Sequence, residues 1–374
     1  HIVLRSVLDK YQYLSKQDRA FMTRLVDGTI EYMLQLDYII DSFSKTQIRK
    51  MKPFIRNLLR MSVYQIKYMD AVPDSAVCNE AVKLAKRHKF AQLSGFVNGV
   101  LRNIARNIDS VQFDTLSIRY SMPQWIVDRF VSAYGEKKAE EIFKAFHNKS
   151  TISIRTNLTR CTPDELRAML EAEGVTVTAV DELNYAFVIS GFDYLNGLQS
   201  FRDGLFYVQD ISSMLVAQTA APKKGDYVID VCAAPGGKST HIAELLQGSG
   251  HVLARDLTDT KVDMIEENIE RHGLNNMSAE VWDATVPDAD SAGKADILIC
   301  DLPCSGLGVL GRKKDIRYKM TPESVDELAA LQRQILDTVH TYVKPNGVLV
   351  YSTCTIDEAE NEDNVRWFIE KHPE

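Results

Sequence analysis

Two cysteines stand in polar segments that each follow a predicted β-strand, where a thiol can reach a substrate. Cys304 lies in DLPCSG and Cys354 lies in STCT. A thiolate that adds to carbon 6 of a pyrimidine makes carbon 5 nucleophilic enough to take a methyl group, and a base must then remove the proton from carbon 5 so that the thiol can leave. The two thiols and Asp301, an acid that can sit near ring nitrogen 3, are the groups that this chemistry needs.

The alternative for these cysteines is burial as small apolar side chains, the commonest state of a free cysteine. We predict that state for Cys78 and for Cys300, which lies inside a predicted strand. Serine, threonine and glycine surround Cys304 and Cys354, which favours a reactive role for both. An enzyme that methylates amino groups would carry an aromatic residue in place of Cys304 to stack the target base, so the sequence favours methylation at carbon. Residue types alone do not say which thiol attacks.

A glycine-containing segment, DVCAAPGGKST from Asp230 to Thr240, lies between a predicted strand and a predicted helix. Glycine lets the backbone approach a ligand closely. A phosphate-binding P-loop is disfavoured because Cys232 stands where its first glycine belongs, and the sequence also lacks the dinucleotide fingerprint G-x-G-x-x-G here. S-adenosylmethionine carries no phosphate, so its loop need match neither motif. This glycine segment therefore predicts an adenosyl cofactor.

Two aspartates follow the next two predicted strands, and each suits one part of an adenosyl group. Asp256 stands where a nucleotide-binding fold places the acid that accepts both ribose hydroxyls, and Asp283 can accept the adenine amine. A lone aspartate at a strand end can equally be a solvated turn residue or a helix cap. Acids that recur at several strand ends favour cofactor binding.

The composition is that of an ordinary soluble globular protein, with 45% hydrophobic and 25% charged residues among 374. No apolar run long enough to span a membrane and no secretory signal pattern occurs, so we expect a cytoplasmic protein with no membrane partner. Six cysteines without a CxxC pair favour neither a disulfide scaffold nor a bound metal. The first residue is His1 rather than methionine, so we expect the natural chain to begin earlier.

Charge is distributed unevenly along the chain. Residues 1–108 hold 18 Lys and Arg against 9 Asp and Glu, whereas the remainder holds 26 against 42. A basic region joined to an acidic one indicates an anionic polymer partner that is bound mainly through its phosphates. A basic helical surface with no nucleic-acid partner is an equally good interpretation of the charge alone.

The first two of three regions are predicted from periodicity and capping residues. Residues 1–125 repeat apolar side chains at helical spacing and predict an all-helical bundle. Residues 126–213 begin with two helices and continue with short strands and a helix capped by Thr162, which predicts a small α+β sheet of the RNA-recognition type. Arg155 on one of these strands is a candidate phosphate contact, with a surface strand residue as the alternative. Basic residues cluster on one helix of the first region: Lys83, Lys86, Arg87 and Lys89.

The third region, residues 214–374, alternates strands and helices and so predicts a doubly wound parallel sheet of the α/β class. In such a sheet, ligands bind outside the carboxyl ends of the strands. We therefore expect the glycine segment, the aspartates and both thiols to lie along one edge. The predicted strands are 227–231, 251–255, 277–282, 297–300 and 348–352.

The motifs DVCAAPGGKST, DLPCSG and STCT together resemble those of the RNA cytosine carbon-5 methyltransferases. Residues 18–37 and 79–106 resemble the NusB RNA-binding fold, and this pairing matches the branch of the family that acts on bacterial 16S rRNA. The resemblance covers nearly the whole chain. It implies a Rossmann-like S-adenosylmethionine methyltransferase domain at 214–374, a small α+β RNA-binding subdomain at 126–213 and an N-terminal all-α NusB-like domain at 1–125.

The resemblance also assigns roles to individual residues. Cys354 would be the nucleophile, Cys304 would assist release of the methylated base as the proton acceptor, and Asp301 would serve both cofactor and target base. Lys238 and the basic segment 312–314 are candidates for holding RNA phosphates, with a solvated loop as the alternative for the segment. S-adenosylmethionine would contact Cys232, Ala233, Ala234, Pro235, Gly236, Gly237, Lys238, Asp256, Asp283 and Asp301.

The sequence thus favours a monomeric cytoplasmic enzyme that forms 5-methylcytosine in 16S rRNA, either in the free RNA or in a small-subunit assembly intermediate. The same chemistry on another RNA such as tRNA is an alternative, because the catalytic motifs are shared. A non-catalytic NusB-like RNA-binding factor is a second alternative, although it would need neither thiol. The family continues with further strands beyond the helix predicted at 361–372, so we expect the sheet to be incomplete at the C-terminal end.

Overall fold

The computed structural model of the chain describes residues 2–11, 13–148 and 151–373. The chain divides into two compact units, one of His1–Asn148 with Val309–Thr321 and the other of Lys149–Gly308 with Pro322–Glu374. The chain therefore leaves the second unit after Gly308 and returns to it at Pro322. Within the described ranges, every helix is too short or too polar to cross a membrane.

The first unit is built from helices, as its apolar periodicity predicts. Pro53 is the first residue of one helix and Pro73 directly precedes another, positions where the missing N–H of proline costs no helical hydrogen bond. The helices are α1 (Ile2–Lys10), α2 (Lys16–Glu31), α3 (Met33–Phe43), α4 (Pro53–Tyr68), α5 (Asp74–Arg87), α6 (Ser94–Asn107), α7 (Leu116–Arg119), α8 (Gln124–Tyr134), α9 (Glu136–Phe146) and α15 (Ile316–Lys319).

The core of this unit is formed where α3, α4 and α6 face one another. Leu36, Leu59 and Leu101 are fully buried there, and each such side chain stabilises the fold by about 1.5–3 kcal/mol relative to an exposed one. Helix α2 approaches α4 closely at Gly28, where a Cβ atom would lie 2.0 Å from the ring of Tyr64. Any larger residue at this position of α2 would force the Tyr64 ring to move.

The second unit begins with a small antiparallel sheet and its helices. The strand order is β2-β3-β1-β4, which confirms the predicted α+β sheet. Thr162 caps α10 through a reciprocal pair of hydrogen bonds with Glu165, as its position before Pro163 predicts. The elements are β1 (Ile152–Thr156), α10 (Pro163–Ala172), β2 (Thr176–Val180), β3 (Leu183–Ser190), α11 (Gln199–Arg202) and β4 (Phe206–Val208).

A parallel sheet with the order β7-β6-β5-β8-β9 forms the rest of the second unit, which confirms the predicted doubly wound α/β fold. The strand order reverses at β5, and ligands bind at such a reversal. The elements are α12 (Ile211–Ala220), β5 (Tyr227–Asp230), α13 (Gly237–Leu245), β6 (His251–Asp256), α14 (Asp259–His272), β7 (Met277–Val281), β8 (Ala295–Asp301), α16 (Pro322–Val339), β9 (Val343–Ser352) and α17 (Glu362–Lys371).

Helices cover both faces of the parallel sheet, so its central strands are apolar on both sides. Val228 and Ile229 are successive residues of β5, yet they belong to different buried clusters. On β8, Ile299 and Cys300 divide between the same two clusters. Cys300 is fully buried, as predicted from its place within a strand, and Cys78 is buried in the helical core.

Candidate active site

The glycine segment connects β5 to α13 at the carboxyl edge of the parallel sheet. Gly236 has φ of 98°, a conformation that side chains other than hydrogen rarely allow. The Ala234–Pro235 peptide bond is cis. Asp230, the last residue of β5, accepts a hydrogen bond from the Ser239 hydroxyl, and burial raises the pKa of this carboxyl group to about 7. The strand end and the first turn of α13 are thus joined beneath the segment.

Asp256 ends β6 and is nearly buried, with its carboxylate turned toward the glycine segment. One oxygen accepts the backbone N–H of Ala234 at 2.9 Å. The other accepts the N–H of Leu257 at 2.8 Å and pairs with the Lys261 ammonium at 2.7 Å. Asp256 therefore fixes the position of the loop that was predicted to bind the cofactor.

Asp283 follows β7 and is exposed, in contrast to Asp256. Its Oδ1 atom accepts hydrogen bonds from the backbone N–H of Thr285 at 2.9 Å and from the Thr285 hydroxyl at 2.7 Å. These hydrogen bonds lower the pKa of the Asp283 carboxyl group. The contacts are those of a turn-forming aspartate, and they hold the carboxylate at the strand end where an adenine contact was predicted.

Lys238 and Asp301 form an ion pair that joins the start of α13 to the end of β8. The second carboxylate oxygen of Asp301 accepts the Ser352 hydroxyl at 2.8 Å. Lys238 was predicted to contact either the cofactor or RNA phosphates, which stays a prediction, and in this structure its ammonium group contacts Asp301. The ion pair brings together two of the residues that the sequence singled out.

The two thiols meet because their loops leave neighbouring parallel strands at matching positions. Asp301 of β8 pairs with Ser352 of β9 in the strand register. Cys304 and Cys354 follow these residues closely, and their Sγ atoms lie 3.0 Å apart. The backbone N–H of Cys354 also points at Sγ of Cys304, at 3.2 Å.

The environments of the two thiols differ. Cys354 is exposed, whereas Cys304 is only partly accessible, and neither forms a disulfide. The hydrogen bond to Cys354, together with burial, raises the pKa of Cys304 far above the usual thiol range. The Cys304 thiol therefore holds its proton strongly, and the Cys354 sulfur lies in contact with it.

Several polar residues that support the thiol loops were not predicted from the sequence. Glu360 and Gln332 are fully buried and contact the loop that carries Cys304. Asn361 contacts the loop that carries Cys354. Glu360 and Asn361 stand in the acidic segment 357–363, which is typical of an exposed turn, so no pattern in the sequence indicated their burial or their partners.

The expectation that Arg155 lies on the surface or contacts RNA phosphate is wrong, because its side chain is only 1% exposed. Its guanidinium donates to the carbonyl of Gly237 at 2.9 Å and pairs with Glu244 of α13 at 2.8 Å. On the neighbouring strand β4, the Tyr207 hydroxyl lies 3.3 Å from the carbonyl of Pro235. Two residues of the small sheet thus support the glycine segment.

In the basic segment 312–314, Arg312 and Lys313 are exposed, whereas Lys314 is partly buried. Within the first unit, Lys314 forms an ion pair with Glu31, which also contacts His147 at 3.0 Å. Arg317, shortly after this segment, is fully buried and contacts the carbonyl of Leu310 at 3.0 Å. Lys314 therefore takes part in the packing of the first unit, and RNA binding by the exposed residues Arg312 and Lys313 stays a prediction.

Sequence comparisons place these features in a known family. The family model described as 16S rRNA methyltransferase RsmB/F matches residues 217–374, the NusB family matches 2–106, and an RsmF/B-like ferredoxin-like domain matches 122–192. A protein of Bacillus subtilis (strain 168) named "Probable ribosomal RNA small subunit methyltransferase B" is 38% identical over 383 residues, covering 100% of this chain and 85% of the relative. The chain belongs to the ribosomal RNA small subunit methyltransferase B family.

Two solved structures resemble this chain in fold. The crystal structure of PH0851 has a TM-score of 0.83 and 26% identity, covering 99% of this chain and 85% of that one. NSun6 from Pyrococcus horikoshii, solved with SFG, an analogue of S-adenosylmethionine, has a TM-score of 0.60 and 25% identity, covering 67% and 87%. The parallel sheet of the second unit is a Rossmann-like methyltransferase fold, and S-adenosylmethionine is the cofactor of this methyltransferase family.

Proposed function

We propose that the protein transfers a methyl group from S-adenosylmethionine to carbon 5 of a cytosine in 16S rRNA through a covalent bond between Cys354 and the base. The observation that carries this proposal is the 3.0 Å separation of the Cys354 and Cys304 sulfur atoms. A carbon-5 methylation needs one thiol to attack and one group to take a proton on the same side of the reaction centre. Two thiols in contact satisfy both needs.

The residues along the sheet edge fit an adenosyl cofactor. Carboxylates accept hydroxyl and amine hydrogens, so Asp256 would hold the ribose and Asp283 the adenine amine. The backbone from Cys232 to Lys238 would surround the rest, and Gly236, with φ of 98°, allows the chain to turn sharply there. S-adenosylmethionine, when bound, supplies the methyl group from its sulfonium centre.

Cys354 is the proposed nucleophile, since it is the more exposed thiol and its neighbour keeps a proton. When one proton is shared by the pair, the raised pKa of Cys304 favours the state in which Cys304 is the thiol and Cys354 the thiolate. The Cys354 thiolate adds to carbon 6 of cytosine and forms a carbon–sulfur bond. The electron pair of the 5,6 double bond moves to carbon 5, which then takes the methyl group.

Cys304 is the proposed base for the release step. Once Cys354 is bonded to carbon 6, its sulfur is a thioether that carries no negative charge, so the main cause of the raised Cys304 pKa disappears. Cys304 can then give its proton to solvent and accept the hydrogen of carbon 5. The carbon–hydrogen electron pair restores the 5,6 double bond, the bond to Cys354 breaks, and its sulfur leaves as a thiolate.

Asp301 is the proposed partner of ring nitrogen 3. Its carboxylate is held by the Ser352 hydroxyl at 2.8 Å and by Lys238, so it is fixed at the end of β8 on the loop that carries Cys304. The Lys238 ammonium can pass a proton through this carboxyl group to the ring nitrogen while Cys354 is attached. That proton stabilises the electron-rich ring of the adduct, and it returns through Asp301 to Lys238 when the 5,6 double bond is restored and the sulfur leaves.

The choice of 16S rRNA as substrate is supported by the names of the relatives and by the first unit. The matching family model and the Bacillus subtilis relative both carry names that refer to the small ribosomal subunit or its RNA. The NusB match covers 2–106, almost the same part of the chain that holds the excess of Lys and Arg. An assembly intermediate of the small subunit would present the same RNA, whereas methylation of a tRNA is the alternative within the same chemistry.

Nucleoside analysis after reaction with purified small-subunit rRNA, and in parallel with tRNA, tests this proposal. We expect 5-methylcytidine in the rRNA only and none with Cys354→Ala. Methyl groups on nitrogen, or full activity of Cys354→Ala, would contradict the mechanism. Modified tRNA with unmodified rRNA would contradict the substrate assignment alone, and RNA binding without any methylation would favour the non-catalytic alternative.

A further inference from the structure

A short polar turn beneath the two thiol loops carries two adjacent side chains that contact different loops. The turn Glu358–Glu360 follows β9 and its loop, and Asn361 lies between it and α17. The Glu360 side chain is fully buried, and among the described residues its carboxylate oxygens contact only the uncharged residues Ser305 and Gln332. A buried carboxylate without a cation needs several hydrogen-bond donors. The residues that donate these hydrogen bonds show which part of the chain the carboxylate positions.

Glu360 and Gln332 together hold the loop of Cys304 on both sides of the cysteine. Its Oε1 atom accepts the backbone N–H of Ser305 at 2.9 Å, and its Oε2 atom accepts the Ser305 hydroxyl. Gln332 donates from Nε2 to Oε1 of Glu360 at 3.0 Å and to the carbonyl of Pro303 at 2.8 Å. The residues directly before and after Cys304 are therefore fixed by one buried network.

Asn361 holds the loop of Cys354 in the same manner. Its Oδ1 atom accepts the Thr353 hydroxyl at 2.7 Å, and its Nδ2 atom donates to the carbonyl of Thr355 at 3.1 Å. A single amide side chain thus contacts the residues directly before and after Cys354. The two loops touch each other where the hydroxyls of Ser305 and Thr355 lie 3.1 Å apart.

We infer that Glu360 and Asn361 are positioning residues for different steps of the reaction. Glu360, through Ser305 and Gln332, orients Cys304 for removal of the carbon-5 proton. Asn361 orients Cys354 for addition to carbon 6. This inference rests on the proposed function, because it takes attack by Cys354 and release by Cys304 as the two steps.

The two steps require different positions of the reacting atoms. A residue that positions only one of the two loops can therefore affect one step more than the other. In the first step the carbon–sulfur bond forms along a line from Cys354 to carbon 6. In the second step the carbon-5 hydrogen passes to Cys304 while the carbon–sulfur bond breaks. A displacement of about 1 Å at a reacting atom can cost on the order of 100-fold in rate, so loosening one loop slows mainly the step that its thiol performs.

The test uses Glu360→Ala and Asn361→Ala in the full chain, with Cys304→Ala and Cys354→Ala as references. Attack is measured as the rate of covalent adduct formation with 5-fluorocytidine RNA, in which release is blocked. Release is measured as the decay of the adduct formed with ordinary RNA on a denaturing gel. S-adenosylmethionine binding and thermal unfolding show whether each variant is folded.

For Glu360→Ala we expect release to slow by about tenfold or more while attack changes by less than about threefold, so that adduct accumulates on ordinary RNA. For Asn361→Ala we expect attack to slow by about tenfold or more, with no accumulation. Glu360→Gln should restore most of the release rate, because its amide oxygen can still accept the Ser305 N–H. Asp363→Ala is the matched control, since Asp363 is a half-exposed acid of the same segment that pairs with Arg366.

The outcomes separate this inference from the proposed function. If Cys304→Ala does not accumulate adduct, the two-thiol mechanism itself is wrong. If it does accumulate adduct while both turn variants slow attack and release equally, the division between Glu360 and Asn361 is wrong. Should Glu360→Ala fail to fold, Ser305→Ala removes one of the same hydrogen bonds with a smaller change and must show the same slow release.

Discussion

Arg155 of β1 and Glu244 of α13 form an ion pair of 2.8 Å in which the two side chains are only 1% and 2% exposed. The same guanidinium reaches the carbonyl of Gly237, so the small antiparallel sheet is joined directly to the helix that follows the glycine segment. His272 lies 3.4 Å from the same carboxylate. The small sheet therefore supports the glycine segment that we propose as part of the cofactor site.

Replacement of Arg155 by methionine is expected to destabilise the second unit strongly. The change leaves the Glu244 carboxylate buried without its cation, and breaking one partner of such a pair costs about 3–5 kcal/mol. Denaturant unfolding of the variant measures this loss. The double variant Arg155→Met/Glu244→Leu should recover part of it, because no unpaired charge is left behind. A change below about 0.5 kcal/mol in the single variant would contradict this role.

The buried carboxyl group of Asp230 is expected to make the stability of the protein fall as the pH rises. Its pKa rises from 3.8 to about 7 on burial, so between these values the folded state binds more protons than the unfolded state. The stability that this group contributes is therefore fully present below the pKa of the unfolded state. It is lost as the pH rises through the pKa of the folded state, a total loss of roughly 4 kcal/mol. Asp230→Asn stays neutral and should lose less stability than the wild type as the pH rises from about 5 to 8. Parallel stability curves for the two proteins would contradict the raised pKa.

The two reactive cysteines are expected to differ toward an alkylating reagent such as iodoacetamide. Cys354 should react first, because it is exposed and Cys304 keeps its proton. In Cys354→Ala the hydrogen bond that chiefly raises the Cys304 pKa is gone, so Cys304 should react at least about tenfold faster than in the wild type. Mass spectrometry of the labelled peptides gives both rates. The buried residues Cys78 and Cys300 serve as internal controls and should remain unlabelled. Equal labelling of Cys304 with and without Cys354 would show that the pair does not share a proton.

The exposed basic residues at the end of α5 are expected to bind RNA phosphates. Charge reversal of Lys86 and Arg87 should weaken RNA binding uniformly across sequences and reduce the slope of log affinity against log salt by about 2. Cofactor binding should stay unchanged. Reversal of Lys223 and Lys224, an exposed pair in the second unit, is the matched control. An equal effect of both double variants would indicate general electrostatic attraction rather than a binding surface on the first unit.

The parallel sheet could be predicted from the sequence because its central strands are covered on both faces and are nearly continuous apolar runs. The beginning of β9 could not. It starts at Val343, earlier than the predicted 348, although Asn346 has φ of 65° and Gly347 follows it, a pair typical of a turn. Pairing of Val343 with Ala295 of β8 accounts for the longer strand, and a shift in register beside it accommodates the turn residues. Such pairing depends on a partner distant in the chain.

The same limit applies to the candidate site. Cysteines and aspartates at strand ends could be singled out, because their residue types and positions alone suggest chemistry. Arg155 and Glu360 could not, since charged residues are usually exposed and only a partner distant in sequence makes their burial favourable. Those partners are Glu244 for the arginine and Ser305 for the glutamate, and nothing in the local pattern connects them.

Covalent attack by Cys354 is tested most directly with small-subunit rRNA that contains 5-fluorocytidine. Fluorine replaces the hydrogen of carbon 5, so Cys304 has no proton to remove and the bond between Cys354 and the base persists. The product is a protein–RNA band that survives a denaturing gel.

We expect this band to form with S-adenosylmethionine, to vanish in Cys354→Ala and to persist in Cys304→Ala. Peptide mapping should place the RNA on Cys354. A band that survives in Cys354→Ala and vanishes in Cys304→Ala would reverse the roles of the two thiols. Bound RNA without any covalent band would contradict covalent catalysis by this site.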